Sequence, residues 1–422
     1  MKKPFSWDTY SDQAALLKDR AYKKAMRKKE LFSLIKTLLL SFLILPIAWL
    51  LLPFAKKRAT KSKNFFTLGV DFQREAEATL EMLDELDVRS ILVRIKLWEM
   101  EKIPELKAFI EKNKDRHITL KIMQDREHIE DLDLLKSDLK SIFTEIKADL
   151  YEIGTTINRA KWGFFSVDEY LRFYKVAYDL KREKFPDISL IGSGVIDFEF
   201  HYTAHTLFNL CRCRYDGVSA LLYVDRRGAP ENTQLGFNLL DKIALLASLV
   251  TLSPKTKNNI YITETNWPIE DTAPYAPTSP KECVSEDLYM AYMVRYYLLS
   301  FASAQIEFVS WHQLIARGYG LIDYDFKEKK LKKRKAYYAY KTMLKHLQDA
   351  EFLRMDIKRG HYRIMCVKDQ KLLEIHWAIY EKEVEFDEHY EIYDILGKKI
   401  KQTSLTIGKM PYYIYDTKAV VV

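Results

Sequence analysis

Four cysteines in 422 residues (Cys211, Cys213, Cys283 and Cys366) are too few for a disulfide-stapled scaffold and leave the redox compartment open. Glycine is also sparse. Thirteen glycines and no repeating unit exclude collagen-like and solenoid chains. No glycine-rich phosphate turn follows the first strand-like run, which argues against a doubly wound dinucleotide fold. A net positive charge is missing from most of the chain as well. Residues 1–63 carry 15 Lys/Arg against 4 Asp/Glu, a net of +11, while the other 52 Lys/Arg and 55 Asp/Glu leave the body at −3. A nucleic-acid-binding domain needs its positive face on the folded body. This charge distribution argues against such a partner.

What is present describes a folded, membrane-associated chain. A hydrophobic content of 48% with 13% aromatics is incompatible with disorder. The length suits two or three domains, or one large barrel with an accessory. Leu31 to Phe54 is apolar apart from Lys36 and a few small polar residues, and Thr37 to Phe54 is free of charge. That is near the lower limit for a spanning helix, and Trp49 suits an interface. No small-residue cleavage site follows, so an uncleaved single-pass inner-membrane anchor is expected. Lys23, Lys24, Arg27, Lys28 and Lys29 on the upstream flank keep that flank cytoplasmic and place the body in the periplasm. Lys56, Lys57, Arg58, Lys61 and Lys63 on the other flank, with Pro46 inside the run, leave open a surface-lying segment that keeps everything cytoplasmic.

After Asn64, eight short β-branched or aromatic-rich runs alternate with amphipathic helical stretches: 67–72, 91–95, 118–123, 150–154, 190–197, 217–225, 259–263 and 307–314. Ala76, Leu80 and Leu83 share one helical face. Ser166 with Glu169 forms a capping-box pattern ahead of Phe173, Ala177 and Leu180. Eight such units predict an α/β chain, a (β/α)8 TIM barrel over residues 64–347. A basic segment (1–30) and the membrane helix (31–55) precede it. From about Asp349 the alternation tightens, and a small antiparallel, β-sandwich-like domain is expected over 348–422, open to strands from just before the barrel.

In a TIM barrel, chemistry sits at the C-terminal ends of the strands. Those ends read Asp71 and Gln73, Arg94 and Trp98, Gln124 and Asp125, Thr155, Thr156 and Asn158, Asp197 and Glu199, Tyr223 and Asp225, Glu264 and Asn266, and Trp311 and Gln313. Aromatic faces with carboxylate and amide edges suit a sugar ring, though other polar ligands fit such a cleft too.

Two stretches carry a family resemblance. Ile262-Thr-Glu264-Thr-Asn266-Trp267-Pro resembles the seventh-strand end of clan A glycoside hydrolases. Trp311-His-Gln313-Leu, with Gly318-Tyr-Gly-Leu-Ile-Asp323 and Arg334-Lys-Ala-Tyr-Tyr-Ala-Tyr-Lys341, resembles their eighth strand and following helix. Family 39 and some family 5 enzymes come closest, including membrane-anchored glycosidases of exopolysaccharide clusters. The resemblance covers about residues 65–345. It implies Glu264 as nucleophile and Trp311 as sugar-stacking platform. Arg94, Trp98, Thr155, Thr156, Asn158, His201, Tyr223, Asn266, Trp267 and Gln313 would then contact substrate.

One departure matters more than these matches. Where the family carries E-I-x-N-E-P-N at the fourth strand, this chain reads Glu152-Ile-Gly-Thr155-Thr156-Ile-Asn158. Thr156 stands at the general acid/base and Thr155 at the 2-hydroxyl-binding Asn. Retaining hydrolysis needs two carboxyls about 5–5.5 Å apart, and Thr supplies none. Either Glu199, Asp197 or Asp225 has taken over the acid role, or Glu264 works alone on a good leaving group in a transglycosidase, or the barrel binds glycan without cutting it.

Weaker signals remain. Glu152 reads as structural support, pointing into the barrel wall or paired with Arg94. His201-x₃-His205-x₅-Cys211-x-Cys213 has the wrong spacing for zinc, so no metal is expected, and nothing calls for a cofactor. Arg226-Arg-Gly-Ala-Pro-Glu231 is an anion site or a solvated loop. Lys327–Lys335 is a solvated loop that would meet anionic lipid if cytoplasmic. Asp271–Pro280, with its prolines, is expected to form a rim over the cleft. The expected partners are a cell-envelope polysaccharide or glycolipid, the membrane, and an envelope biosynthesis complex.

Overall fold

The computed structural model describes residues 1–54, 62–225 and 228–420. Lys56, Lys57, Arg58, Lys61, Arg226 and Arg227, all noted above, lie outside the described residues. Eight parallel strands close into a barrel: β1 (Phe66–Val70), β2 (Ser90–Lys96), β3 (His117–Met123), β4 (Leu150–Ile153), β5 (Leu190–Ile196), β6 (Gly217–Leu221), β7 (Ile260–Thr265) and β8 (Phe308–Trp311). The chain is thus a TIM barrel with an antiparallel β region behind it and an apolar helix ahead of it.

Each strand is buried on both faces, as a parallel sheet under helices requires. The expected sixth and eighth strands run past the real ones. The ladder ends at Leu221 and Trp311, and Tyr223, Asp225, His312 and Gln313 sit on the loops beyond. Of the outer helices, Val167–Lys184 shows how sequence sets a boundary. Ser166 Oγ accepts the Glu169 N–H at 3.1 Å, while Phe173, Ala177 and Leu180 are fully buried. The reciprocal half of the capping box does not form. The Glu169 carboxylate turns instead to Arg126, at 2.8 and 3.0 Å.

The barrel lumen is partly polar. Lys121 on β3 lies 3.3 Å from Glu152 on β4, both fully buried, and Thr263 on β7 donates to Glu152 at 2.8 Å. Glu152 is therefore paired with Lys121 rather than with Arg94, because Lys121 shares its register on the neighbouring strand.

The C-terminal strands form a six-stranded antiparallel sheet drawn from residues 351–420, and among the described residues no strand from before the barrel joins it. A two-stranded ribbon, Lys382–Glu385 with Ser404–Ile407, packs on it through Ala378, Ile392, Leu405, Ile407 and Ile414. Glu231 pins the sheet to the barrel, accepting from Trp377 Nε1 at 2.8 Å and pairing with Arg295.

Ahead of the barrel run α1 (Arg20–Lys29) and α2 (Leu31–Leu50). The latter is long and apolar enough to cross a membrane by length and composition. It nonetheless lies along the barrel flank, against the helices Val167–Lys184, Phe200–Leu207 and Leu239–Leu252. The residues upstream of it reach the barrel mouth, so both of its flanks contact the same body. The spanning arrangement expected from the sequence would part them.

Candidate active site

Glu264, near the C-terminal end of β7, presents its carboxylate to a cavity of about 200 Å³ at the barrel mouth, lined also by Arg94, Thr156, Arg159, Tyr223 and His312. The Tyr223 hydroxyl donates to Glu264 Oε1 at 2.8 Å, and Lys121 Nζ stands 3.4 Å from Oε2. Burial alone would raise the pKa of this carboxyl. The Lys121 and Arg94 charges and the Tyr223 hydrogen bond outweigh it and hold the value down to about 2. Glu264 is an ionised, oriented carboxylate at neutral pH. Beside it, burial and the nearby Arg94 depress the His312 imidazole to about 3, so it is neutral.

The fourth strand delivers Thr155 and Thr156, whose hydroxyls lie 3.3 Å apart. Thr155 is locked by Gln124, which bonds its N–H and its carbonyl at 2.9 Å each. Thr156 lines the cavity, its backbone in the left-handed region at φ 51°. No carboxyl extends from that point.

The carboxylates expected to replace the acid occupy an adjoining cavity of about 350 Å³, lined by Asp197, Glu199 and Asp225. Arg159 forks between two of them, with Nη1 at 2.7 Å from Glu199 and Nη2 at 2.6 Å from Asp197. Asn158 completes the network, donating to Glu199 at 2.7 Å and bonding both backbone groups of Ile196. Asn158 thus braces the fifth strand end, with its amide already committed.

Several expected contacts lie elsewhere. Trp311 is fully buried, stacked at 5.8 Å on Trp267 with its indole N–H on Tyr289 at 2.9 Å, and offers no face to a sugar. Trp267 is equally buried, its N–H held by the Gly228 carbonyl at 3.0 Å. Gln313 is buried outside both cavities. Asn266 does line the mouth, donating to the His312 carbonyl at 2.8 Å. His201 sits in the first turn of the helix Phe200–Leu207, outside both cavities, and His205 on the same helix bonds Thr37 of α2 at 2.8 Å. Among the described residues no group of three or more His, Cys, Asp or Glu is arranged to hold a metal.

An unexpected segment fills much of the mouth. Residues 5–14 fold over it, with a two-residue antiparallel pairing of Trp7–Asp8 and Gln13–Ala14. Asp12 forms a buried ion pair with Arg94, Gln13 donates to the Pro277 carbonyl at 3.1 Å, and Lys161 donates to Gln13 at 2.7 Å. Trp7 packs on Trp98 and Trp162 at 5.3 and 5.6 Å. Trp98 is therefore engaged by the chain itself. Pro277 and Tyr275 show that 271–280 does form a rim, Tyr275 stacking on Phe326 at 5.1 Å. Two of the missed residues carried a signal: Lys121 is a lone charge inside a buried strand, and Arg159 adjoins Asn158. Asp12 carried none, because only the tertiary path brings it there.

With this geometry in view, comparison with solved structures is informative about fold. A family 39 glycoside hydrolase from the gut symbiont Bacteroides cellulosilyticus WH2 superposes with a TM-score of 0.65 over 86% of this chain and 82% of that one, at 13% identity. The chain shares the (β/α)8 barrel fold of that enzyme. A family 39 β-xylosidase from Caulobacter crescentus (TM-score 0.55, 11% identity, 85% and 97% covered) and a family 30 endoxylanase from Clostridium papyrosolvens C71 (0.56, 9%, 85% and 97%) share it. No family model and no curated protein matches the sequence.

Proposed function

We propose that this chain is a membrane-associated, glycoside hydrolase-like protein acting on a cell-envelope polysaccharide or lipopolysaccharide-type glycan, with Glu264 as its nucleophile. The observation that carries this reading is the state of Glu264, an ionised carboxylate aimed into the barrel mouth by Tyr223 and Lys121. The barrel fold supports the class of substrate only by analogy with its neighbours. Arg94, Asn266 and Tyr223 line the place where a sugar would sit.

The missing acid restricts the chemistry. Asp197 and Glu199 are both tied to the Arg159 guanidinium and line the adjoining cavity rather than the one that Glu264 lines. Displacement by Glu264 without proton assistance then requires a leaving group stable as an anion. The test is turnover of aryl glycosides with activated phenol leaving groups by the wild type and by Glu264→Gln. Wild-type turnover that disappears in the variant, with glycan affinity kept within about tenfold, supports the assignment. Unchanged turnover in Glu264→Gln refutes it.

Thr156 together with the occupied mouth favours a second reading, a catalytically silent glycan-binding scaffold of an envelope assembly complex. Glycan-array binding with no cleavage of any bound ligand, activated or not, would establish it. Inner-membrane location is part of the main proposal. The contacts between residues 1–30 and the barrel favour one shared side over a periplasmic barrel with a cytoplasmic leader.

A further inference from the structure

The two faces of α2 are arranged in reverse of a soluble surface helix. Toward the barrel it presents Ser33, Lys36, Thr37 and Ser41. Ser33 Oγ accepts the Asp168 N–H at 3.3 Å, Lys36 Nζ pairs with Asp168 at 3.1 Å, and Thr37 bonds His205 at 2.8 Å. Away from the barrel it presents bulky apolar side chains. Phe32 is 79% exposed, Phe42 78%, and Leu39, Leu43, Trp49 and Leu50 are each more than half exposed. An apolar groove of about 500 Å³ bounded by Phe42, Trp49, Phe198 and Phe237 carries this surface onto the barrel itself. Contiguous apolar surface on this scale, in a chain with a polar helix face turned inward, marks an interaction site.

A bilayer crossing does not fit these contacts. Glu30, at the start of α2, accepts from Ser166 Oγ at 2.6 Å, and further upstream Asp12 is paired with Arg94 inside the mouth. Downstream the chain enters β1. A crossing helix would place these two flanks on opposite sides and strip Lys36 and Thr37 of their partners within hydrocarbon.

We propose that α2 is an in-plane membrane anchor. Its outer face sinks into the headgroup and acyl boundary of an anionic bilayer, and the barrel and residues 1–30 share one side. At 1.5 Å per residue, a helix of this length lays about 30 Å along the surface. Charge selects the occupant: Lys24, Arg27, Lys28 and Lys29 of α1 are exposed immediately beside the apolar face, where anionic headgroups would neutralise them. This inference is independent of the glycan chemistry proposed above.

The test uses the full chain. In flotation with phosphatidylcholine vesicles containing phosphatidylglycerol, the wild type is expected to float. Leu39→Asp and Phe42→Asp should each weaken binding tenfold or more, with an unchanged melting temperature because both positions are exposed. Omitting phosphatidylglycerol should weaken wild-type binding as well. In everted membrane vesicles, protease should remove epitope tags at both ends of the chain in the same preparation. Protection of one tag alone would mean that α2 crosses the membrane and would overturn the proposal. Dimerisation through this face with no vesicle binding, measured by light scattering, would overturn it in favour of a second copy.

Discussion

Asp12, upstream of both N-terminal helices, is paired with Arg94 at the end of the second barrel strand, the two side chains only 10% and 9% exposed. Burial would raise the Asp12 pKa, but the guanidinium holds it down to about 2. The chain thus contributes its own carboxylate to the lining of the cavity that Glu264 faces. Removing one partner of a buried pair leaves the other uncompensated, at a cost of about 3–5 kcal/mol. Asp12→Asn is expected to lose stability of that order in urea unfolding. Asp12→Leu combined with Arg94→Met should recover most of it, since a well-packed apolar pair avoids the desolvation cost. A double variant no better than the single would mean that Arg94 has a further role in the fold.

Lys121 is shared. Its ammonium lies 3.3 Å from Glu152 and 3.4 Å from Glu264, linking the barrel lumen to the mouth. Lys121→Met should destabilise by about 3 kcal/mol, toward the lower end for a broken buried pair, because burial already raises the Glu152 pKa and lets that carboxyl neutralise by protonation. The same change removes the cation that contributes most to holding Glu264 low, so the Glu264 pKa should climb toward its ordinary value. Urea unfolding and a pH titration of turnover or ligand binding read the two effects separately.

Gly318 lies under the rim. A Cβ placed there would meet the Tyr275 carbonyl oxygen at 2.2 Å and its carbon at 2.4 Å, both backbone atoms. Gly318→Ala must push the 271–280 segment outward. It should cost about 1–3 kcal/mol by overpacking and loosen the Gln13 bond to Pro277. Thermal unfolding checks the first effect, and faster proteolysis of residues 1–20 checks the second.

The barrel was legible because its signal is periodic: eight apolar runs such as Ile118–Met123 are separated by helices whose buried faces repeat. The carboxylate at the seventh strand end was legible for the same reason, since position along a strand predicts which end it occupies. Trp311 misled because a tryptophan at a strand end reads identically whether its ring faces the mouth or the Trp267–Tyr289 cluster behind it. Lys36 and Thr37 were read as blemishes in an apolar run. They turn out to be its contacts with Asp168 and His205, a relation between segments that hydropathy along one segment does not contain.

Acid should weaken the fold well above the carboxylate range. Burial lowers His205 to about 4 and His312 to about 3 from an ordinary 6.5. Unfolded histidines therefore bind protons that the folded ones refuse, and stability falls as pH drops from 6.5 toward those values. At pH 5 each contributes a loss of about 2 kcal/mol. His128 acts oppositely. Burial lowers its pKa, but Asp125 and Asp138 raise it further, so it gains stability as it protonates. The net expectation is a lower melting temperature at pH 5 than at pH 7, with a shallower slope in His205→Asn.

Thr156 offers the sharpest test of the missing acid. It lines the same cavity as Glu264, just past the fourth strand, so a carboxyl placed there would share that cavity with the proposed nucleophile. Its φ of 51° strains any side chain other than glycine, but Thr already bears that strain, so Thr156→Glu adds mainly volume and charge. General acid assistance is worth about 10²–10⁴-fold for a poor leaving group and little for a good one. Thr156→Glu should therefore raise turnover of unactivated glycosides by up to that factor while leaving activated aryl glycosides nearly unchanged. Measuring both substrates in one preparation separates a gained proton donor from a general change in binding. A variant that gains on neither, while still unfolding cooperatively, would show that a carboxyl at this position does not protonate the leaving group.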